Sequence, residues 1–455
     1  MPKYVALLPV LLAGLAGCAS YRPRPLDLHP ALPARVARLA LDPARMPFAS
    51  LRKHRFDPRN GLDMDEVAML AVARNPALTL ARDQLGVKRA QAFAAGLLPD
   101  PQLGLSRDIP TNGGPGATSA FTFGLSYDVN ALLTHPAVRK AASAAVRQTA
   151  LRLQWKEWQV VSRARTLFVT HWTQTRLMAL LQNNQRLFAT RYRNAQQALR
   201  QGNTVWRMVS ADLTALQDIN RRINTLERRI NQNRHDLNAL LGLALQATLR
   251  LTGPIRLAPL NIAKIKAALS HLARRRPDLL ALQAGYQSQE ARFRQAILAQ
   301  FPALNIGLTR ARDTAGLYTH GFGVTVSLPF FNRNRGNIAI ERATRRRLHD
   351  AFTARVNRAA REINRILADQ ALLMRRLAQV RRVLPRLTQM NRSARRAFQA
   401  GNLNAQTYTS LRAAWLAKRI EAVTLKQTLW EQRIALHTLI GGKPPLTSMT
   451  KDTRS

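Results

Sequence analysis

The sequence predicts a mainly α-helical chain with a small β part, built as two tandem copies of one unit. Three observations carry this reading. Short motifs recur at an offset that stays near 200 residues. Two stretches of about 60 residues hold hardly a helix breaker and repeat apolar positions every seven residues. Two pairs of short segments alternate apolar and polar residues, the period of a strand with one greasy face.

The duplication orders everything else. Asn75-Pro76-Ala77-Leu78 is answered by Arg276-Pro277-Asp278-Leu279, and Pro101-Gln102-Leu103-Gly104-Leu105 by Ala303-Leu304-Asn305-Ile306-Gly307-Leu308. Phe123-Gly124-Leu125-Ser126 is answered by Phe322-Gly323-Val324-Thr325, Gln201-Gly202-Asn203 by Ala400-Gly401-Asn402, and Leu241-Gly242 by Ile440-Gly441. Each unit opens with a helix interrupted by proline. In the first, Asp63 or Asp65 caps a run through Val67, Leu70 and Leu78, and residues 77–96 resume after Asn75-Pro76. In the second, 262–272 and 277–299 do the same around Pro277.

A β-hairpin follows in each unit. Strands are predicted over 102–107 and 118–130, with Leu103, Leu105, Phe121, Phe123, Leu125 and Tyr127 on one face and Thr122, Gly124, Ser126 and Asp128 on the other. The second pair spans 303–311 and 320–328, where Phe322, Val324, Val326 and Leu328 alternate with Gly323, Thr325 and Ser327. About ten residues cross a bilayer as a tilted strand. The alternative is a pair of soluble hairpins, which in isolation are marginally stable.

Long helices come next, from Pro136 to Arg200 and from Asn337 to Gln399. Phe352, Ala359, Ile366, Leu373, Val380 and Leu387 are spaced by seven, with Val356, Ile363, Leu377 and Leu384 alongside; 199 residues earlier stand Leu153, Val160, Leu167, Gln174, Leu181 and Phe188. A conserved heptad phase across the duplication predicts lengthwise packing. Pro385 is expected to kink its helix or remove a hydrogen bond. Gly202-Asn203 and Gly401-Asn402 suit tight reversals, and return helices run over Val205–Leu241 and Ala405–Ile440, each ending in glycine.

The N-terminus reads as an export signal: Lys3, an apolar run over Val5–Leu12, then Leu15-Ala16-Gly17-Cys18. That tetrad resembles the cleavage box of bacterial lipoproteins, which implies acylation of Cys18. Cys18 is the only cysteine, so it has no internal disulfide to make. Ala19-Ser20 follow, without the aspartate that retains such lipoproteins at the inner membrane. Beyond the signal no apolar run is long enough for a spanning helix, so a membrane crossing would have to be a closed barrel. Net charge is +45, from 70 basic and 25 acidic residues. Such a balance suggests nucleic acid, but the export signal and the even spread of charge argue for solvated helix faces instead.

Enzymatic chemistry is not legible. His171, His235 and His437 stand alone on helices, no metal-spaced cluster occurs, and Gly113-Gly114-Pro115-Gly116 lacks the lysine-serine of a phosphate cradle. Trp155, Trp158 and Trp172 share one helix and read as packing. No catalytic residue, metal or cofactor is expected.

Over residues 62–442 the chain resembles the TolC-like outer-membrane efflux proteins. The likeness rests on Leu62-Asp63-Met64-Asp65-Glu66, Ala73-Arg74-Asn75-Pro76-Ala77-Leu78, Leu98-Pro99-Asp100-Pro101, Arg276-Pro277-Asp278-Leu279, Phe301-Pro302-Ala303-Leu304, Ser327-Leu328-Pro329-Phe330-Phe331-Asn332 and the paired glycine turns. It implies a homotrimer whose protomers each give four strands to one twelve-stranded barrel, with the helical hairpins forming a periplasmic tube. It also implies a tip that meets a periplasmic adaptor and an inner-membrane transporter of the resistance-nodulation-division type. The tip role falls on Gly202, Asn203, Thr204, Val205, Gly401, Asn402 and Leu403; asparagine after each glycine departs from the family's small apolar residue. Pro329–Ile338 resembles the heavy-metal efflux branch. Asp212 and Asp218 are candidates for acidic lumen residues or for ion pairs with nearby arginines.

The expected organisation is a signal peptide over 1–17, a lipidated segment over 18–61, repeats over 62–245 and 262–442 joined by a linker over 246–261, and a tail over 443–455. The expected place is the outer membrane, lipid-anchored, with a large periplasmic part. The competing reading is a lipid-anchored periplasmic coiled-coil adaptor or scaffold without a pore; such proteins carry one helical hairpin rather than two separated by strand pairs. A Cys18→Ser protein is expected to lose all incorporation of labelled palmitate, and labelling that persists would remove the lipobox reading.

Overall fold

The computed structural model describes residues 21–29, 32–36, 39–112, 114, 116–255, 257 and 260–441. The signal peptide, Cys18 and the 443–455 tail lie outside the described residues. After a 3-10 turn at Pro43–Arg45 come α1 (Ala49–Arg52), α2 (Met64–Arg74), α3 (Pro76–Ala94), β1 (Gln102–Asp108), β2 (Ala120–Asp128), α4 (Val129–Arg200) and α5 (Trp206–Leu240). Then follow α6 (Ile262–Leu269), α7 (Leu272–Arg275), α8 (Pro277–Leu298), β3 (Ala303–Arg312), β4 (Tyr318–Ser327), α9 (Arg335–Gln399) and α10 (Ala405–Leu439). Among the described residues no helix is long and apolar enough to cross a membrane.

Local chemistry sets the boundaries. Asp63 caps α2: its Oδ1 accepts from the N–H groups of Asp65 and Glu66 at 2.9 and 2.8 Å, while Glu66 Oε2 accepts from the Asp63 N–H at 2.8 Å. This reciprocal box satisfies donors that a helix start leaves unpaired. Asn75 then ends α2 and caps α3, and Pro76 occupies the first helical position, where its missing N–H costs nothing. α4 corrects the expected start at Pro136. It begins at Val129, because Asp128, the last residue of β2, caps it through Asn130 and Ala131. Pro136 sits inside the helix, as Pro385 does in α9.

At 72 and 65 residues, α4 and α9 extend about 108 and 98 Å. Each folds back on its return helix, α4 on α5 and α9 on α10, and α4 also packs against α2, α3, α8 and α10. The heptad positions face these contacts. Leu167, Gln174, Leu181, Phe188, Ala359, Ile366 and Val380 are buried, and Val160, Phe352, Leu373 and Leu387 pack at the edge of the apolar clusters. Trp155, Trp158 and Trp172 pack as read: Trp158 against Phe48 and Trp172 edge-on to Trp430, with ring centres 6.3 and 5.4 Å apart.

One joint is built twice with different chemistry. Where α5 ends, Asn75 Nδ2 donates to the Leu240 carbonyl at 2.9 Å; where α10 ends, Arg276 Nη1 donates to the Leu439 carbonyl at 3.2 Å. Both carbonyls belong to helix termini that have no partner within their own helix. Arg276 is fully buried, forked onto Asp278 at 3.0 and 2.8 Å and lying over the Trp155 ring at 4.8 Å. Arg355 adds a second cation on Asp278 at 2.7 Å. Burial pushes the Asp278 carboxyl up, but the two guanidinium groups outweigh it and hold the group below the usual range. Beside each joint a left-handed glycine presses on the proline junction. A Cβ on Gly242 would sit 2.6 Å from the Arg74 carbonyl, and one on Gly441 3.3 Å from that of Arg275.

Gly242 and Gly202 both have positive φ, +60° and +73°, but a Cβ on Gly202 would meet nothing. Gly202→Ala is therefore expected to cost only the left-handed strain, about 1 kcal/mol. Gly242→Ala adds a backbone clash and is expected to cost about 3 kcal/mol. Thermal midpoints of the two variants in detergent check the ranking, and equal midpoints would refute the close approach.

Candidate functional site

The four strands form one antiparallel sheet in the order β1-β2-β3-β4. The register turns the alternation read in the sequence into two surfaces. Leu103 pairs with Leu125, Leu125 with Leu308 and Leu308 with Phe322, giving an apolar row across all four strands. Tyr127, Ile306 and Val324 form the next row. On the opposite face Gly104 pairs with Gly124, Gly124 with Thr309, Ser126 with Gly307 and Gly307 with Gly323. One surface is thus aliphatic and aromatic, the other glycine, serine and threonine. The apolar surface is uncovered in the protomer, with Phe322 69% and Leu308 59% exposed.

Each of β3 and β4 is ten residues long, about 33 Å of strand. Tilted by about 40°, that spans the roughly 25 Å apolar band of a membrane barrel. The hairpin loops meet at one end, where the Thr118 N–H donates to the Thr314 carbonyl at 2.9 Å. Helices leave from the other end, near exposed Phe301, Phe330 and Phe331.

The far ends of the long helices share one geometry. At the first tip the Gly202 N–H donates to Leu199 O and the Asn203 N–H to Ala198 O, at 3.0 and 2.8 Å; at the second, Gly401 donates to Phe398 O and Asn402 to Ala397 O, at 3.2 and 2.8 Å. These paired bonds close a helix around a left-handed residue, and both glycines have φ near +75°. Asparagine is placed by its backbone here, which leaves its side chain on the surface. Gly202, Asn203, Val205, Gly401 and Asn402 are exposed, while Thr204 and Leu403 are half-buried. Trp206, next to Val205, is 75% exposed.

Asp212 does not present a free carboxylate. It is buried between α4 and α5, where its Oδ1 accepts from Arg191 at 2.6 Å. Asp218 is half-buried and held by Arg221 and Arg222. Sequence reading missed Arg191, although a signal exists: Arg191 and Asp212 stand at nearly equal distances on either side of Gly202, so a tight hairpin must bring them together. It also missed the buried pair of Arg165 with Asp65, 2.6 Å apart across α4 and α2.

Among the described residues, His54, Asp63 and Glu66 bring three potential metal ligands together. His54 Nε2 lies 2.9 Å from Asp63 Oδ2, and Glu66 Oε1 accepts the Asp57 N–H at 2.7 Å. Both Glu66 oxygens and Asp63 Oδ1 thus already serve backbone donors, so the group is a helix cap closed by an imidazole. His171 and His437 are elsewhere, and burial lowers the pKa of each.

A four-stranded sheet with one lipid-compatible face, set on helical hairpins that turn at glycine tips, is the architecture of outer-membrane channels. Residues 268–442 match the model of the family described as Outer membrane efflux protein. No curated protein matches the chain in sequence. Among solved structures, CusC aligns with TM-score 0.69 at 18% identity over 92% of this chain and 99% of its own. CmeC of Campylobacter jejuni, an outer-membrane channel, aligns with TM-score 0.71 at 13% identity over 94% and 95%. The open-state MtrE channel of Neisseria gonorrhoeae aligns with TM-score 0.67 at 16% identity over 85% and 91%. These likenesses establish the fold over nearly the whole chain, including the part before residue 268.

The His54–Asp63 contact makes stability depend on pH. The hydrogen bond to Asp63 raises the His54 pKa against the effect of burial. Burial raises Asp63, but His54 and the capping N–H groups outweigh it, so that carboxyl titrates below its usual range. The histidine contribution is full below pH 6.5 and is lost as pH rises through the raised value; the aspartate contribution is full above 3.8 and is lost as pH falls through the lowered one. His54→Gln is therefore expected to lower the thermal midpoint most between about pH 4 and 6.5, and least above neutrality. A difference that grows toward pH 9 would contradict the assignment.

Proposed function

We propose that three copies of this chain form an outer-membrane efflux duct, a passive conduit from an inner-membrane transporter through the periplasm and the outer membrane. The single observation that carries this is the sheet: four strands, two open outer edges at β1 and β4, and one exposed apolar face. Hydrocarbon tolerates no unpaired strand edge. Four strands are too few to close, whereas twelve make a barrel with a polar interior. The Gly-Ser-Thr face suits that interior, and the apolar face suits lipid. The repeats over 62–245 and 262–442 would then supply two hairpins per protomer to a helical tube.

Cys18 is the proposed lipid anchor. The tips at Gly202–Val205 and Gly401–Leu403 are the proposed docking surface for a periplasmic adaptor that works with a resistance-nodulation-division transporter. Heavy-metal cations are the proposed cargo, on the likeness of Pro329–Ile338 to that branch. The reading is supported by the efflux family match and by the full-length fold likeness to outer-membrane channels.

Electron microscopy with mass determination of the detergent-extracted protein tests the duct. An elongated threefold particle is expected; a monomer would favour a pore-free scaffold. Val324→Lys, two rows further from the loops than Arg310, is expected to block insertion, since a lysine facing mid-bilayer costs about 2–4 kcal/mol, and unchanged insertion would invert the faces. Arginine at both Gly202 and Gly401 is expected to abolish export while leaving the trimer intact, and normal export would remove the tip assignment.

A further inference from the structure

The loop end of the apolar face carries a cationic patch. The row nearest the hairpin loops runs Arg107–Phe121–Arg312–Tyr318 across the four strands, and the next runs Leu105–Phe123–Arg310–His320. Three arginines therefore stand on the same surface as the leucine, phenylalanine and valine rows, at its loop edge. They are interleaved with rings: the Arg107 guanidinium lies 5.3 Å from the Phe121 ring centre and that of Arg312 5.7 Å from Tyr318. Arg107, Phe121, Phe123, Arg310, Arg312 and Tyr318 wall a concavity of about 620 Å³.

No acid balances these charges. Among the described residues none of the three arginines forms an ion pair. Asp108 pairs with Ala120 in the register and so belongs to the opposite face, and Asp313 is occupied by the N–H groups of Ala315 and Leu317. Arg107 reaches Ser119 Oγ at 3.3 Å, whereas the buried Arg312 Nε has no hydrogen-bond partner. Three like charges this close, one with an unmet donor, are costly unless an anion joins them.

From this geometry we propose that Arg107, Arg310 and Arg312 bind the phosphate of an anionic lipid in the outer leaflet, its acyl chains lying on the leucine and phenylalanine rows beneath. The proposal rests on the duct reading, which places this face in lipid. Guanidinium forks suit phosphate oxygens, and the rings beside them sit at headgroup level. A continuous apolar surface directly below the cations favours a ligand with a tail over a free anion.

The test uses the full-length protein in detergent. Native mass spectrometry compares its occupancy by diphosphorylated lipid A and by the same lipid stripped of phosphate. Wild type is expected to prefer the phosphorylated form by about tenfold or more, and inorganic phosphate at equal concentration should not displace it. The Arg107→Gln/Arg310→Gln/Arg312→Gln protein should lose the preference yet still insert into lipid vesicles, read by protease protection. Equal binding of the two lipids by wild type overturns the site, whatever the fate of the variant. Survival of the preference in the triple variant also overturns it, and displacement by inorganic phosphate overturns the lipid assignment. Wild type that fails to insert into vesicles refutes the membrane placement itself, and the site with it, a result separable from loss of lipid preference in an inserted protein.

Discussion

An amide that faces hydrocarbon must find a partner within protein. On the duct reading proposed above, that rule is felt at two strands, β1 and β4, whose outer edges have no neighbour in this chain. The features that distinguish the sheet then read as a response to it. Lipid-compatible side chains fill one face, small residues fill the other, and the strand lengths match a bilayer. Where glycine faces glycine across β1–β2 and β3–β4, strand propensity is given up for room on the inner surface. On the duct reading, that choice suits a surface that encloses a passage.

The helical part obeys a different constraint. Hairpins some 50 Å and more in length have no compact core, so stability comes from seams one or two side chains wide. The seam of α4 with α5 therefore tolerates polar members that pair locally, such as Arg191 with Asp212. A salt bridge of this kind is weak as a source of net stability but costly to break from one side, which fixes the register of two long helices against sliding. Arg165 with Asp65 does the same between α4 and α2.

The sequence was most readable where the signal is local and periodic. Phe121 to Tyr127 could be placed on one face by alternation alone, and Ala359, Ile366 and Val380 in a seam by heptad spacing. Gly202 and Gly401 announced reversals because few other residues accept their backbone angles. Reading failed where partners are distant in sequence or where one residue outranks a rule. Pro136 looked like a helix start, but Asp128 caps α4 eight residues earlier in the chain. Asn75 with Leu240 and Arg276 with Leu439 are contacts over more than 160 residues that no window could register. Asp212 reads either as a lumen acid or as the partner of a nearby arginine, and no local window names Arg191, which the hairpin brings to it from 21 residues away. Arg107, Arg310 and Arg312 at the loop edge of the sheet go unnoticed when alternation is followed only through apolar residues and the charge is assigned to helix faces.

The two strand-to-helix passages differ, and the difference is mechanical. Between β2 and α4 no residue intervenes: Asp128 ends one and caps the other. Between β4 and α9 the chain runs from Leu328 to Asn334, with Arg333 and Asn334 in left-handed backbone and Asn334 tied to the Ala296 carbonyl at the end of α8. The first passage is direct, the second an elbow pinned to its neighbour. Rotation of α4 about its axis would pass straight into β2, whereas rotation of α9 would be absorbed at the elbow before β4, so the two hairpins would not turn in step.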